Sequence, residues 1–529
     1  MNRIAENYVI GMDCGTTNIK AILLSDDGTV VAEESRENTT IYAGSGALEQ
    51  DADEWWANAV KIFRSLRAKA GAERYSRIRG IAISSHTVTM LPLDKDRRPL
   101  RNALTCQDGR SAKEMHRIVD AMGLDRFVST VGGQPAVAFL PNKIEWFRTH
   151  EPDLFARTKY YMQASSYLNM KLTGVMTTDV DQATRTQCLD INTMTWSKEI
   201  GDLIGVDLEA VMPKLCEVDD IVGTVTEEAS EMTGLPSGIP VIAGCSDALA
   251  SMYAMGLSRL GDAGESCGTT SLVFAGCSSK SPSDIPVVTR PCRIDGMPWI
   301  FDAPIQSAGS SLKWFIEHMA AEERETARGQ GVDIYSYLND LALESLPGCG
   351  GVFFYPYLMG ERAPLWNEYA RGMFLGLGMD TKRSDLVRSI YEGTAYALRH
   401  VIETVKASGA RVDSLRICGG GARSRTWCQI KASMLRVPVL ILDERSGDVP
   451  LGDALLVGHK TGIFPDLSLA SEKIIRVKEV IEPVEEWAKI YDRLYPIYIE
   501  MYQNLDRNLK NLWETMAQIR SDKESGLYK

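Results

Sequence analysis

Asp13-Cys14-Gly15-Thr16-Thr17 and Ser266-Cys267-Gly268-Thr269-Thr270 carry the same short turn in the two halves of one chain of 529 residues. The first copy ends an apolar run, Tyr8-Val9-Ile10-Gly11-Met12, and a second apolar run, Ile19 to Leu24, leaves it. Asp26-Asp27-Gly28 then turns the chain into Val30-Val31-Ala32. Short apolar runs joined by turn residues predict an antiparallel meander. The second copy sits between Asp262–Ser266 and Ser271–Ala275, again in a strand-like setting, and this second meander is predicted to open near Pro240-Val241-Ile242-Ala243-Gly244. Nothing else repeats between the halves, so a tandem array is excluded and two related domains are expected, with a boundary near 250–260.

Length and composition agree with that division. A chain this long exceeds one compact core. Its 44% hydrophobic and 24% charged residues are ordinary for a globular protein. A net charge of -12 argues against a nucleic-acid partner, which needs a basic face. No stretch reaches membrane-spanning length and no apolar leader precedes the first strand, so the expected setting is cytoplasmic. The 11 cysteines are scattered, with no Cys-x-x-Cys pair, which leaves no zinc motif and predicts reduced core thiols.

Between the turns, a helix is predicted to begin near Asp51–Asp53, with Trp55, Val60, Phe63 and Leu66 on one face, followed by a strand over Ile78–Ile83. Strands alternating with helices predict a layered α/β fold. At the C-terminus Trp487, Tyr491, Leu494, Tyr498, Met501, Leu505, Leu509, Leu512 and Met516 recur at spacings of three and four. They predict a helix interrupted at Pro496 and frayed from about Ser521, either packed on the body or placed at a homodimer interface.

The chemistry-bearing residues cluster around these turns. Glycine lets backbone approach a ligand, and successive N–H groups with threonine hydroxyls suit phosphate oxygens. Two such turns would grip a polyphosphate from both sides; ordinary hairpins are the alternative. Asp13, at a strand end beside phosphate, would be repelled without a hard cation between them, which suits Mg²⁺. Lys20, on the return strand, is placed to reach a terminal phosphate. Asp247 follows a buried-looking strand in Gly244-Cys245-Ser246-Asp247, where it either caps a helix or accepts the proton of an attacking hydroxyl. Thr105-Cys106-Gln107-Asp108-Gly109-Arg110 supplies the mixed donors and acceptors that a polyhydroxy ligand needs, or is a solvated loop. His86 and Thr87, just past the Ile78–Ile83 strand, either touch substrate or are structural. Cys418-Gly419-Gly420-Gly421-Ala422-Arg423-Ser424 lets a flat ring or a phosphate approach backbone, although it has neither Rossmann nor Walker spacing.

In this order the motifs resemble the FGGY carbohydrate kinases of the actin, Hsp70 and hexokinase-like superfamily. The most specific match is Gly372-Met373-Phe374-Leu375-Gly376-Leu377 followed by Asp385-Leu386-Val387-Arg388-Ser389-Ile390-Tyr391-Glu392. Lys143-Ile144-Glu145-Trp146-Phe147 resembles the first family signature, and Gly360-Glu361-Arg362-Ala363-Pro364 also falls in family order. The resemblance implies an α/β protein of two actin-like (ribonuclease H-like) domains with an interdomain catalytic cleft. It would divide as 1–255, holding sugar and phosphate; 256–485, holding nucleotide; and 486–529, a helical segment. It implies ATP and Mg²⁺, with Asp13 holding the metal and Asp247 the general base. Gly15, Thr16, Thr17 and Lys20 would face the ATP phosphates from one side, and Gly268 and Thr269 from the other. Gly309, Gly420, Gly421 and Ala422 would line the adenosine pocket, and Asp108 would bind substrate hydroxyls. Ser84-Ser85-His86-Thr87 matches neither the xylulokinase nor the glycerol kinase pattern, and Ala248 stands where the family usually has an amide. Gln107-Asp108-Gly109-Arg110 leans towards xylulokinases, so a ketopentose such as xylulose is the expected substrate. Glycerol, erythritol, gluconate and ribulose kinases are the alternatives, with an Hsp70- or actin-like ATPase switch further off.

Overall fold

A computed structural model describes residues 6–44, 46–281, 288–294 and 296–524. The first turn does join an antiparallel pair: β1 (Tyr8–Cys14) and β2 (Asn18–Ser25) align Asp13 with Lys20, and β3 (Val30–Glu37) extends the meander. The chain then crosses through α1 (Ala52–Ala70), capped by the Asp51 carboxylate, to β4 (Ile78–Ser85), which lies parallel to β1. Trp55, Phe63 and Leu66 are fully buried along α1, as its periodicity predicts, whereas Val60 is only half-buried and Ile62 fills the face with them. After α2 (Leu140–His150) and α3 (Val180–Arg185), β5 (Ile221–Thr224) and β6 (Pro240–Ile242) complete a sheet of order β5-β6-β4-β1-β2-β3, and α4 (Asp247–Ala254) follows.

The second half repeats this plan. It contains β7 (Gly261–Cys267), β8 (Ser271–Cys277), β9 (Val288–Ile294), β10 (Met297–Ile305), β11 (Val412–Cys418), β12 (Val439–Leu442) and β13 (Val477–Ile481). These form a sheet of order β9-β10-β8-β7-β11-β12-β13. The series β10-β8-β7-β11-β12 matches β3-β2-β1-β4-β6 strand for strand, with antiparallel pairs up to the turn-bearing strand and parallel pairs beyond it. Pro240–Ile242 therefore closes the first sheet, pairing with β4 and β5, and the second meander opens at Gly261, not near Pro240.

The helices of the second half include α5 (Gly309–His318), α6 (Ile334–Leu343), α7 (Arg383–Ala407), α8 (Arg425–Leu435), α9 (Val449–Lys460) and α10 (Glu485–Glu524). Helix α10 runs through Pro496 without the expected interruption. Its Tyr491, Tyr498 and Tyr502 are buried on either side of the proline, and Tyr498 stacks on Tyr355 at 4.3 Å, so tertiary packing offsets the lost hydrogen bond. The helix reaches Glu524, beyond the expected fraying point at Ser521; residues 525–529 lie outside the described residues.

Helix α9 belongs to the second half in sequence but lies on β1 of the first. A Cβ on Gly11 would stand 1.9 Å from the Pro450 carbonyl oxygen, and one on Gly452 would stand 1.8 Å from that of Ala250. A buried apolar cluster shared by Val9, Leu24 and Ala82 with Leu249, Leu455 and Ile300 fills the seam. Glycine at 11 and 452 is thus required by backbone approach. Gly452→Val should lower stability by about 1–3 kcal/mol through overpacking, read as a lower urea midpoint. An unchanged midpoint would mean that α9 is free to move off α4.

Candidate active site

Three strand ends of the first sheet meet at one edge. Asp13 is buried at the end of β1, Ser85 at the end of β4 bridges to Ser246, and Asp247 opens α4 directly after Ser246. The Ser246 hydroxyl caps α4 by accepting from the Leu249 N–H at 3.2 Å, so the cap role falls to Ser246 and the Asp247 side chain is released from it. Asp247 Oδ1 instead accepts its neighbouring Ala248 N–H at 2.8 Å. Asp247 keeps part of its surface open yet is enclosed enough that burial pushes its carboxyl up to about 6, with the Arg185 guanidinium holding it down. Burial raises Asp13 well above the usual carboxylate range, the nearby Asp247 adds to this, and Lys20 opposes it. Asp13 Oδ1 is buried without a hydrogen-bond partner.

The first turn is braced from three directions. The Gly15 N–H donates to the Asn18 carbonyl at 3.0 Å, Asn38 Nδ2 to the Gly15 carbonyl at 2.9 Å, and Gln50 Nε2 to the Thr16 carbonyl at 2.6 Å. A side chain on Gly15 would meet both the Asn18 carbonyl oxygen and the Asp13 carboxylate. Thr17 and Lys20 are exposed beside it. The Thr16 hydroxyl lies 3.8 Å from Cys106 Sγ, which brings the Thr105–Arg110 segment to the same place.

That segment is held from beneath by Lys143 on α2, whose ammonium donates to the carbonyls of Val88 and Thr105, each at 2.7 Å. Burial lowers the Lys143 ammonium to about 8. Both oxygens of the buried Asp108 are occupied: one accepts the Arg110 N–H at 3.2 Å, the other the Leu48 N–H at 3.0 Å and Arg110 Nη2 at 2.7 Å. Asp108 thus fastens the loop at Leu48, and a substrate hydroxyl reaching it would share already engaged oxygens. The buried His86 stands edge-on to Trp55, with its Nδ1 2.8 Å from the Cys14 carbonyl. That contact places the ring proton on Nδ1 and leaves Nε2 as a buried acceptor with no partner. Burial lowers His86 to about 4, so it is neutral at pH 7. Thr87 follows it, half-buried.

The second turn opens onto a cavity of about 660 Å³, a volume typical of small-molecule sites. Gly268, Thr269, Gly309, Gly420 and Gly421 line it, while Ala422 is buried and outside the lining. The Gly309 N–H donates to the Gly268 carbonyl at 3.0 Å, and a Cβ at 309 would stand 2.5 Å from that oxygen. A Cβ at Gly421 would stand 2.3 Å from Cys267 Sγ. Beneath the turn, Lys431 pairs with Glu265 at 2.7 Å and lies over the Trp427 ring at 4.4 Å, an interior support absent from the sequence reading. Asn339, Tyr391 and Trp427 also line the cavity; the Asn339 amide oxygen accepts from Tyr391 at 2.9 Å and from Ser424 at 2.6 Å. Their lining role escaped the sequence reading because α6, α7 and α8 converge only in three dimensions. Glu361, of the Gly-Glu-Arg-Ala-Pro motif, accepts the Gln306 N–H at 2.7 Å and so braces the segment that leads into Gly309.

With this geometry in place, known proteins give the family. The model of the "FGGY family of carbohydrate kinases, N-terminal domain" matches residues 8–254, and that of the C-terminal domain matches 264–460. The chain belongs to the FGGY carbohydrate kinases. Among similar family members, a xylulose kinase of Klebsiella pneumoniae is 31% identical, over 92% of this chain and 99% of its own. A gluconokinase of Bacillus licheniformis is 28% identical, over 97% and 98%. The crystal structure of xylulose kinase from Rhodospirillum rubrum is similar to this FGGY kinase with a TM-score of 0.87 at 29% identity, covering 95% of this chain and all of that one. The two-domain actin-like fold and the sugar kinase activity follow from membership. An ATPase switch without sugar chemistry does not fit it. No helix among the described residues is long and apolar enough to cross a membrane.

Proposed function

We propose that this kinase transfers the terminal phosphoryl group of ATP to a hydroxyl of a small sugar, with a ketopentose such as xylulose as substrate. The observation that carries the reading is a pair of carboxylates, the buried Asp13 and the half-buried Asp247, at the strand ends beside a Gly-Thr-Thr turn. In this reading 256–485 holds the nucleotide, with adenosine at Gly309, Gly420, Gly421 and the neighbouring Ala422, and Gly268 and Thr269 meet the phosphates. The first half, 1–255, meets them with Gly15, Thr16, Thr17 and Lys20, and brings the sugar to His86, Thr87 and Asp108; 486–529 is the C-terminal segment. Free, mostly buried cysteines suit a cytoplasmic setting.

The donor set fits Mg²⁺. Asp13 offers an unpartnered buried oxygen in a site where burial and a second carboxylate disfavour its charge, and a hard cation relieves both. Asp13 would hold the ion, which when bound neutralises charge on the phosphate oxygens. The chain's own work is distinct. Asp247, ionised above about pH 6, accepts the proton of the attacking hydroxyl. Lys20 offsets charge on the moving phosphoryl group. His86 Nε2, neutral and without its own proton, accepts a hydrogen bond from a second sugar hydroxyl and orients the ring or chain.

Asp247→Ala should reduce kcat by about 10²–10⁴-fold with little change in nucleotide binding. In the intact enzyme kcat/KM should rise as pH increases through about 6 and then level, because below that pH Asp247 is protonated and cannot accept the hydroxyl proton. Unchanged turnover in Asp247→Ala removes the base assignment.

Gluconate is the second reading, favoured by relatives named gluconokinase at nearly the same identity as those named xylulose kinase. ADP release measured across xylulose, ribulose, gluconate, glycerol and erythritol decides between them. The largest kcat/KM is expected for xylulose, and a larger one for gluconate reverses the order.

A homodimer is the partner reading, supported by α10. Leu505, Leu509, Leu512, Met516 and Ile519 keep heptad spacing, and the last three are exposed at 60%, 41% and 43%. Sedimentation should then give a dimer that Leu512→Glu with Met516→Glu converts to monomer; a monomeric parent protein discards the reading.

A further inference from the structure

A buried polar chain runs across the seam to the residue before Asp247. Asp302 on β10 accepts from Arg185 Nη1, and Arg185 Nε donates to Asp181 Oδ1 at 2.9 Å. Asp181 Oδ2 accepts both the N–H of Ser246 at 3.0 Å and its hydroxyl at 2.5 Å. Asp181, Arg185 and Asp302 are all buried. A second cation of the other half, Arg290 on β9, donates to the Thr184 carbonyl at 2.9 Å, so α3 is held at two points by the second sheet. The same helix reaches the first sheet's edge, where Gln182 Nε2 meets Ser85 Oγ at 3.2 Å and the Cys245 carbonyl at 3.3 Å.

Buried ion pairs are poor stabilisers, because desolvation of the charges offsets most of their attraction; apolar residues of similar size hold a fold equally well. What charge adds is directionality. Asp181 has one oxygen fixed by Arg185 and the other by Ser246, so any rotation of its carboxyl moves the Ser246 backbone. Ser246 in turn caps α4, and Asp247 is the next residue. Arg185 Nη2 is buried without a partner, and Arg185 is the main group that lowers Asp247 against burial, so the guanidinium also faces the base electrostatically.

We propose that Asp302 of the second half is a positioning residue for phosphoryl transfer: through Arg185 and Asp181 it fixes Ser246 and hence the carboxylate of Asp247. The proposal rests on Asp247 being the general base. It makes the base competent only while the β10 edge is seated on α3, so correct seating of the two halves and alignment of the base are one event. Asp302 does not line the nucleotide cavity. Its loss therefore belongs to kcat, not to the KM for ATP.

The test uses the full chain, with kcat, KM for ATP and for the best sugar of the panel, and the melting temperature recorded together. Asp302→Asn should reduce kcat by about 10–100-fold, the scale expected when a catalytic group is misplaced by about 1 Å, with KM for ATP within about threefold. Asp181→Asn should give a similar loss, and the two together should lose far less than the product of the single effects, because they act through one chain. Arg185→Met with Asp302→Leu and Asp181→Asn replaces the ion pairs without leaving an unpaired buried charge and keeps the protein folded if the single variants fail; it should show the same loss of kcat. Wild-type kcat in this triple variant, or fully multiplicative effects of Asp302→Asn and Asp181→Asn, overturns the proposal. If Asp247→Ala itself retains turnover, the base assignment falls first. If Asp247→Ala is inactive while the Asp302 variants are normal, only the positioning role falls.

Discussion

The approach of α9 to β1 and α4 is the constraint from which the rest follows. Two helices and a strand meet with carbonyl oxygens where side chains would otherwise stand, at Gly11 and Gly452. Contact this close leaves little room for water along the seam, and it brings Asp453 of α9 to Ser84 of β4, whose hydroxyl donates to it at 2.6 Å. Asp13, Asp247 and Asp453 are thereby enclosed in one region, where burial raises the proton affinity of all three, Asp247 adds to that of Asp13, and both add to that of Asp453. Packing and electrostatics are the same fact here: the tight seam excludes water, and water exclusion makes the charge on these carboxylates expensive. A site that must neutralise phosphate charge gains from that, since a cation or a transferred proton is worth more where solvent does not compete.

The strand order explains why the two turns became unequal. Both sit at the same place in the same five-strand plan, between the antiparallel pair and beside the first parallel strand. In the first half the position before the turn is Asp13, next to Asp247 on the same sheet edge. In the second it is Ser266, and the interior charge has moved one residue back to Glu265, where Lys431 neutralises it. One turn thus sits over unpaired carboxylates and the other over a satisfied ion pair. In the proposed reading the first turn recruits a cation, whereas the second is a neutral wall for a nucleotide.

Local pattern carried much of this in the sequence. The meander about Gly15, the helix from Asp51, the strand into Gly419 and the glycine cradle of the cavity are each specified within about ten residues, so periodicity and turn chemistry reach them. Pro240–Ile242 reads the same whether it closes one sheet or opens the next, and only its pairing with β4 decides. Pro496 follows the local rule for helix breaking and is overridden by buried tyrosines on both sides. Asp108 was legible as a polar cluster but not as a loop fastener, because its partner Leu48 lies 60 residues away. Arg185 with Asp302 and Ser84 with Asp453 span 117 and 369 residues. No pattern in sequence could join them, since every intermediate residue is free to vary in a single chain.

Those long-range pairs sit where a two-substrate enzyme needs them. The cavity at the second turn is lined by the second half, and the polar groups about His86, Cys106 and Asp247 belong to the first. Side chains that cross the seam tie these two regions together, and apolar packing is a poor carrier because it tolerates small sliding. Hydrogen-bonded charge does not tolerate it: displacement of about 1 Å breaks the geometry on which a buried pair depends. The seam accordingly combines an apolar cluster, which holds the halves together, with a few directional pairs, which fix their register. Ser84–Asp453 sets that register beside Asp13 and Asp181–Arg185–Asp302 beside Asp247. Between them lie the two carboxylates on which the proposed transfer of a phosphoryl group to a hydroxyl rests.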